Sequence, residues 1–297
     1  MLILKTQKDI NNQILALKKG KKKIGFVPTM GALHEGHLSL IKRSKQENEV
    51  TVCSIFVNPT QFNDKKDFEK YPITIEKDIE MLLQAKCDIL FLPNVAEMYP
   101  SGFKNTEKID FGFIAETLEG EHRPGHFDGM AQIVERLLRA VNPDSLYMGQ
   151  KDYQQAMICA AMIRARKLKV KLCVCDIVRE KDGLAMSSRN VRLDTHSRKL
   201  AVEISKTLKK VKSQVASRKS LVTSLTTDNR QPTTLIKDLE EKAFKSLAKH
   251  PEFKVEYFVI RDAQTLKPIR SIKQDKKMVA LVACWIDGVR LIDNMLF

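Results

Sequence analysis

Apolar positions along the chain fall into short runs separated by helical stripes. Residues 25–28 form an apolar run that stops at Pro28. A glycine-bearing turn follows, then His34 and His37 with Gly36 between them, then an amphipathic segment over residues 38–45. That order predicts strand, loop and helix. Residues 50–57 are apolar and β-branched without alternation, the pattern of a strand buried on both faces of a parallel sheet. Residues 64–71 are charged and read as a surface loop. Pro72 then opens a helix whose apolar stripe is Ile75, Ile79, Leu82 and Leu83. Residues 87–93 supply the next strand. Strand, helix, strand, helix, strand predicts a parallel sheet with right-handed crossovers.

Beyond it, residues 96–109 read as irregular and 114–118 as a short helix. Residues 130–141 form a strong amphipathic helix, with Ile133, Leu137 and Leu138 set against Glu135, Arg136 and Arg139, and Asn142-Pro143 stops it. Strands are expected at 145–148 and at 170–175, the latter the last of this sheet. From Asp194 the texture changes. Residues 195–215 read as a lysine-rich helix with Leu200, Ile204 and Leu208 inward, 216–234 as a loop or partly disordered insertion, and 235–247 as a further helix. Apolar runs at 255–260, 278–285 and 289–294 read as three strands. The expected fold class is therefore α/β, a parallel sheet followed by a smaller α+β domain, with the boundary near 183–186. The domains are taken as 1–184 and 185–297.

Composition narrows this picture little. A chain of 297 residues has ample core. No long uncharged apolar run is present, so no membrane span is expected, and residues 1–12 lack the apolar core of a signal peptide. A cytoplasmic location is expected. The six cysteines are scattered, and Cys173 and Cys175 share one side of a strand without a second pair to complete a metal site. Reduced, mostly buried thiols are expected, and no protein metal site. The net charge of +15 raises a nucleic-acid partner, but the lysines at 18–23, 206–212 and 273–277 carry no interleaved aromatics. Solvated faces, and no nucleic-acid partner, are the expectation.

Candidate chemistry gathers where strands end. His34, Gly36 and His37 would stand at a helix start, where unpaired N–H groups and the helix dipole favour an anion. A neutral imidazole donates one hydrogen bond and a protonated one adds charge. The same residues also suit a simple helix cap. Asn58 and Gln61 follow the strand at 50–57 and offer neutral donors and acceptors, or form an Asn-Pro turn. The loop at 119–129 packs His122, Arg123 and His126 among acids and glycines, more ionisable groups than a connector needs. Gly149-Gln150-Lys151-Asp152 repeats the strand, glycine turn and helix start, now with a lysine suited to phosphate, and Gln155 stands one turn on. Ser187, Ser188 and Arg189 offer donors to a polyphosphate, or a helix cap.

Taken together these blocks resemble a known family. His34-Glu35-Gly36-His37 after a strand matches the H-x-G-H signature of the nucleotidylyl-transferase superfamily, which shares its fold with class I tRNA synthetases. Met186-Ser187-Ser188-Arg189 stands where that superfamily carries its second phosphate loop. The longer blocks at 28–37, 56–62, 123–129, 149–155 and 186–190, in this order, are similar to the pantothenate synthetase (pantoate–β-alanine ligase) family, and the likeness covers almost the whole chain.

The resemblance implies a Rossmann-like N-terminal domain, a smaller C-terminal lid domain and a homodimer. It implies that ATP, pantoate and β-alanine give pantothenate, AMP and pyrophosphate through a pantoyl adenylate, with Mg²⁺ accompanying ATP. Carried over residue by residue, the ATP site would comprise Met30, Gly31, Ala32, Leu33, His34, Glu35, Gly36, His37, Gly149, Gln150, Lys151, Asp152, Val178, Met186, Ser187, Ser188 and Arg189. His34, His37 and Lys151 would be catalytic, with His37 a proton donor, Lys151 on the α-phosphate and the serine-arginine loop on the β and γ groups. Gln61 and Gln155 would hold pantoate, and Gln61 and Arg123 β-alanine. Gln150 stands where the family often has an acid. The rivals are a nucleotidylyl-transferase acting on a phosphate ester, which would want a basic substrate pocket, and a tRNA-binding module, which would want a basic stripe with aromatics.

Overall fold

The computed structural model sets six strands of the N-terminal half side by side and parallel: β1 (Leu2–Leu4), β2 (Ile24–Thr29), β3 (Val50–Ile55), β4 (Ile89–Phe91), β5 (Ser145–Gly149) and β6 (Lys171–Cys175). Their order is β1-β4-β3-β2-β5-β6. Counted from β2, this is the 3-2-1-4-5 order of a dinucleotide-type fold with β1 added at one edge. The structure describes residues 1–63, 65–103, 107–224, 232–269 and 277–297, with the side chains of 65–66, 218–224 and 232–234 left aside. The chain divides into two compact units, Met1–Val178 and Arg179–Phe297.

Alternation along each strand builds two layers on the sheet. Ile24, Phe26, Val50, Val52, Ile89, Phe91, Leu146 and Met148 face helices Gln7–Lys19, His126–Val141 and Tyr153–Ala165, in one core with Ile10, Ile14, Ile133, Leu137 and Ile158. The intervening residues Val27, Cys53, Ile55, Leu90, Tyr147, Cys173 and Cys175 face Leu40, Ile41 and Leu82 of helices Glu35–Glu47 and Ile75–Gln84. Burial on both faces explains the unbroken apolar runs. All six cysteines are free and buried, and Cys173 and Cys175 do share a side, with the exposed Val174 between them.

Pairing of β2 to β3 runs from Ile24 to Thr29, whereas pairing of β2 to β5 covers Gly25 and Phe26 alone. The two central strands therefore part towards their C-terminal ends. Pro28, which has no N–H to offer a ladder, lies beyond the last β2–β5 pair.

The second unit holds the three expected strands, β7 (Lys254–Asp262), β8 (Met278–Ile286) and β9 (Val289–Leu296), antiparallel in that order. Asp287 and Gly288 join β8 to β9 at φ 49° and 65°, the two-residue turn whose positive φ values match the strand twist. Helices Val202–Ser224 and Pro232–Ala248 pack Ile204, Leu208, Leu239 and Leu247 against Ala280, Val282 and Cys284.

Several elements differ from expectation. Leu2–Leu4 pairs with β4 and Gln7–Lys19 is helical, where only the lack of a signal peptide had been read. Part of the 64–71 segment is a helix, Lys65–Glu69, and Tyr71 is buried with its ring 5.6 Å from Phe62; aromatic packing outweighs the charge of the stretch. Residue 64 lies outside the described residues. Residues 95–98, within or beside the stretch read as irregular, form helix Val95–Met98. The 119–129 loop is half helical, with Glu119–His122 and the start of His126–Val141. The helix expected at 195–215 breaks at Ala201 into Thr195–Leu200 and Val202–Ser224. Residues 216–224 continue that helix, since the segment holds no glycine or proline to stop it, and 232–234 begin the next behind Pro232; the rest of the expected insertion, 225–231, lies outside the described residues. In Ile75–Gln84, Leu83 is 51% exposed, and Asp78 is 0% exposed in the stripe instead.

Gly129 sits on the first turns of helix His126–Val141 where it meets the 59–61 turn. A Cβ there would lie 2.2 Å from the carbonyl oxygen of Thr60. Gly129→Ala is expected to cost about 1–3 kcal/mol through overpacking against rigid backbone. Urea unfolding checks this through a lower midpoint at constant slope; an unchanged midpoint would show that the helix need not approach so closely.

Candidate active site

The parting of β2 from β5 opens a crevice at the point where the sheet's connections leave in opposite directions, the place where open α/β sheets take ligands. The turn after β2 enters it from one side and the turn after β5 from the other.

After β2 the chain turns sharply. Gly31 and Ala32 have φ of +81° and +49°. The Thr29 hydroxyl donates to the Ser54 carbonyl at 2.8 Å and accepts from the Gly31 N–H at 3.2 Å. The buried Asp78 carboxylate accepts from the N–H groups of Ala32 at 2.9 Å and Leu33 at 2.8 Å, and from the Thr74 hydroxyl at 3.1 Å. The amides of Ala32 and Leu33 are thus committed to Asp78, so contacts from these two residues to a nucleotide would come from other atoms.

His34 caps helix Glu35–Glu47. Its Nδ1 accepts from the Gly36 N–H at 3.1 Å, while the Nδ1 of His37 accepts from the His34 N–H at 3.3 Å. This is a reciprocal capping box built from two histidines. The ring centroids lie 4.1 Å apart. Because each Nδ1 accepts, each ring carries its proton on Nε2, a tautomer assigned from these bonds. Burial pushes the pKa of His37 down to about 3, with further lowering from His34 and Lys151. His37 is therefore neutral near pH 7. It acts as an Nε2–H donor, and the strengthening through protonation that its sequence position allowed is not available to it at that pH.

Lys151 comes from the second turn. It stands on a short 3₁₀ turn, Gln150–Asp152, after β5 and before helix Tyr153–Ala165, rather than in the helix itself. Its effect on His37 places the two β2 and β5 turns in one electrostatic neighbourhood. Met30 and Gly149 are half-buried at the ends of their strands, Asp152 and Glu35 exposed, and Gln155 half-buried in the first turn of its helix.

Gln61 is held on the 3₁₀ turn Pro59–Gln61 by a buried polar network. The Tyr99 hydroxyl donates to Asn58 Oδ1 at 2.7 Å. Asn58 Nδ2 donates to the Gly129 carbonyl at 3.1 Å and to Gln61 Oε1 at 3.3 Å. Gln61 therefore turns its Nε2 away from Asn58, donating to the weakly accepting sulfur of Met30 at 3.1 Å. His126 secures the backbone, its Nδ1–H donating to the Gln61 carbonyl at 2.8 Å, and burial first and Arg123 second lower its pKa to about 4. Arg123 lies 3.8 Å from Glu119. The segment carrying Arg123 is clipped by the buried Gln154, whose amide donates to the carbonyls of Ile114 and Thr117 and accepts from the Glu119 N–H at 3.1 Å.

In the first unit, then, Met30, His34, His37, Gln61, Arg123 and Lys151 fall around the strand ends, and Val178 is the unit's last residue. Met186, Ser187, Ser188 and Arg189 belong to the second unit. There the Arg189 N–H donates to Ser187 Oγ at 3.2 Å, and buried Asn190 ties the loop to the Ala185 carbonyl at 3.1 Å. Sequence reasoning passed over Asp78, whose signal was a charge on an apolar stripe, and Gln154, which no local pattern marks. Among the described residues no three His, Cys, Asp or Glu side chains converge to hold a metal, and no helix is long and apolar enough to cross a membrane.

The comparisons with known proteins agree with one another. The family model described as pantoate-beta-alanine ligase matches residues 2–296. The chain belongs to the pantoate-beta-alanine ligase family. It is 42% identical over 278 residues to a pantothenate synthetase of Cytophaga hutchinsonii, covering 94% of this chain and 93% of that one. It is 41% identical to that of Bacteroides thetaiotaomicron, covering 99% and 98%. The pantothenate synthetase structure from Thermus thermophilus superposes with a TM-score of 0.87 at 35% identity over 99% of both chains. A Francisella tularensis pantoate-beta-alanine ligase, complexed with beta-gamma ATP and beta-alanine, matches with a TM-score of 0.76 at 35% identity, covering 100% of this chain and 97% of that one. The six-stranded parallel sheet and small antiparallel domain of this ligase family are those described above.

Neutral buried histidines carry a pH signature. His126 is 5% exposed, with a folded pKa of about 4 against 6.5 when unfolded. Below pH 6.5 the unfolded chain takes up a proton that the folded chain refuses. Stability from this residue is therefore full above pH 6.5, falls as pH drops to about 4 and is flat below, a loss of about 3 kcal/mol. In His126→Asn the Nδ2–H replaces the Nδ1–H on the Gln61 carbonyl. Urea unfolding across this pH range is expected to show a shallower slope for the variant; equal slopes would contradict a neutral buried His126.

Proposed function

We propose that the chain joins pantoate to β-alanine at the crevice between β2 and β5, using ATP to activate the pantoate carboxylate as a pantoyl adenylate. A carboxylate is a poor electrophile, and its condensation with an amine in water is uphill. Adenylation converts it into an acyl group with a good leaving group. The observation that carries this reading is the histidine capping box at a helix start after β2, with His37 in electrostatic reach of Lys151 from the turn after β5.

In the first step a pantoate carboxylate oxygen attacks the α-phosphate and the bond to pyrophosphate breaks. Lys151 supplies a point charge for the α-phosphate oxygens, and His34 and His37 supply Nε2–H donors as charge builds up. Gly36 and Gly149 allow the nucleotide to approach backbone. Gln61, whose Nε2 has only the weak Met30 sulfur as acceptor among the described residues, and Gln155 suit the hydroxyls and carboxylate of pantoate. In the second step the β-alanine amine attacks the acyl carbon and AMP leaves. Arg123 suits the β-alanine carboxylate through its bidentate guanidinium. Ser187, Ser188 and Arg189 of the second unit suit the β- and γ-phosphates. Magnesium fits as an ion that arrives on the phosphates and keeps much of its water, a role that asks for no protein cage. Buried free thiols support a cytoplasmic setting, and family likeness supports a homodimer.

The test follows AMP release with ATP and Mg²⁺. Release is expected to require both pantoate and β-alanine; release indifferent to pantoate overturns the reading. Lys151→Ala is expected to slow adenylate formation by about 10²–10³-fold, the range for losing one transition-state donor, with the urea midpoint little changed. Gln155→Ala is expected to raise the KM for pantoate more than that for ATP; the reverse order would remove it from the pantoate site.

A further inference from the structure

We infer that Asp78 is a positioning residue for nucleotide binding: its buried carboxylate sets the turn that delivers His34 and His37 to the phosphates. The inference rests on the nucleotide half of the ligase reading and adds a residue that the family motifs of this chain do not include.

Asp78 is 0% exposed in the first turn of helix Ile75–Gln84. Among the described residues its partners are two main-chain N–H groups and a hydroxyl. Such a carboxylate is expensive to bury unless it accepts several hydrogen bonds, and here the donors come from the turn itself. One oxygen takes the Ala32 N–H and the other the Leu33 N–H, at 2.9 and 2.8 Å. Two successive amides can converge on one carboxylate only if the chain bends sharply, and Gly31 and Ala32 do so at φ of +81° and +49°. For Ala32 that conformation is disfavoured by its Cβ. It persists because the carboxylate over-determines it. The fit is close: a Cβ on Gly31 would lie 3.0 Å from Asp78 Oδ2.

The histidine capping box comes directly after this turn. His34 begins one residue after Leu33, and its own N–H is the one that His37 Nδ1 accepts. A turn relaxed at Ala32 would shift the His34 N–H and with it the ring of His37. Asp78 therefore acts on the phosphate donors through backbone and without contact to them. It also prevents the Ala32 and Leu33 amides from competing for an anion, which leaves recognition to the imidazoles.

The experiment measures ATP binding by calorimetry on the full chain, which requires no turnover, together with KM values. In Asp78→Asn the amide NH₂ faces one of the two N–H groups, so one hydrogen bond becomes a donor–donor clash. The dissociation constant and KM for ATP are expected to rise about tenfold or more, while the KM for β-alanine stays within about threefold. A change at Ala32→Gly, which removes the Cβ cost of the left-handed turn, is expected to restore part of the ATP affinity in the Asp78→Asn background. A role in folding alone would lower the amount of active protein and leave ATP affinity and its rescue untouched. ATP affinity of folded Asp78→Asn within about twofold of the parent overturns the proposal. Should Asp78→Asn not fold, Thr74→Val decides: it keeps both main-chain bonds but frees the carboxylate to tilt. A rise of about two- to fivefold in the ATP dissociation constant is then expected, and no rise overturns the proposal. If the parent binds ATP yet releases AMP without regard to pantoate, the ligase reading fails while the Asp78 result stands.

Discussion

The separation of β2 from β5 is the constraint on which the first unit depends. A parallel sheet must route each connection over a face, and here the connections leave β2 one way and β5 the other. Pairing that stops at Phe26–Leu146 lets the ends diverge, while the β2–β3 ladder continues to Thr29 and fixes the turn beyond it. Everything that carries candidate chemistry in this unit hangs from that asymmetry. The histidines come from the β2 side, the lysine from the β5 side, and Gln61 from the turn after β3.

The polar groups around this crevice are mostly pinned by groups that are themselves buried. Gln61 is oriented by Asn58, Asn58 by Tyr99 and the Gly129 carbonyl, and the Gln61 backbone by His126. Each member has a partner with ordinary hydrogen-bond geometry, the condition under which a buried network rigidifies rather than destabilises. The direction of each bond also settles which atom is left to face a ligand. An amide nitrogen at Gln61 and Nε2–H groups at His34 and His37 are the donors that these bonds leave available.

Much of this was legible in the chain. Uniform apolar runs at β2 and β3 and the alternation of strands with helical stripes specify a parallel sheet, because only burial on both faces favours such runs. The three strands of the second unit were equally plain. What was not legible had two physical sources. Short elements such as Leu2–Leu4 and Lys65–Glu69 owe their form to tertiary contacts, β4 for the one and the Phe62 cluster for the other. Protonation states were hidden as well: a His-x-Gly-His pattern says nothing of which nitrogen accepts, and the answer depends on the capping geometry and on burial. Asp78 is the intermediate case. A charge at a position three after Ile75 and four before Leu82 lies in the apolar stripe, and that misfit is the signal of a buried carboxylate with dedicated donors.

The neutrality of His37 bears on how binding and catalysis divide in the proposed reaction. Bringing a carboxylate to a nucleotide phosphate sets two anions against each other. At about 4 Å and an effective dielectric near 20 that repulsion is roughly 4 kcal/mol, and a single ammonium at similar distance offsets about as much. A charge that binds the ground-state anions and the transition state equally lowers KM without raising kcat. Neutral donors behave differently. Their bonds are weak to a resting phosphate oxygen and strengthen as charge accumulates on it, so they act mainly on the adenylation step. A His37 held neutral by burial and by the neighbouring Lys151 is suited to that division of labour: the lysine assembles the anions, and the imidazoles respond to the charge that the reaction creates.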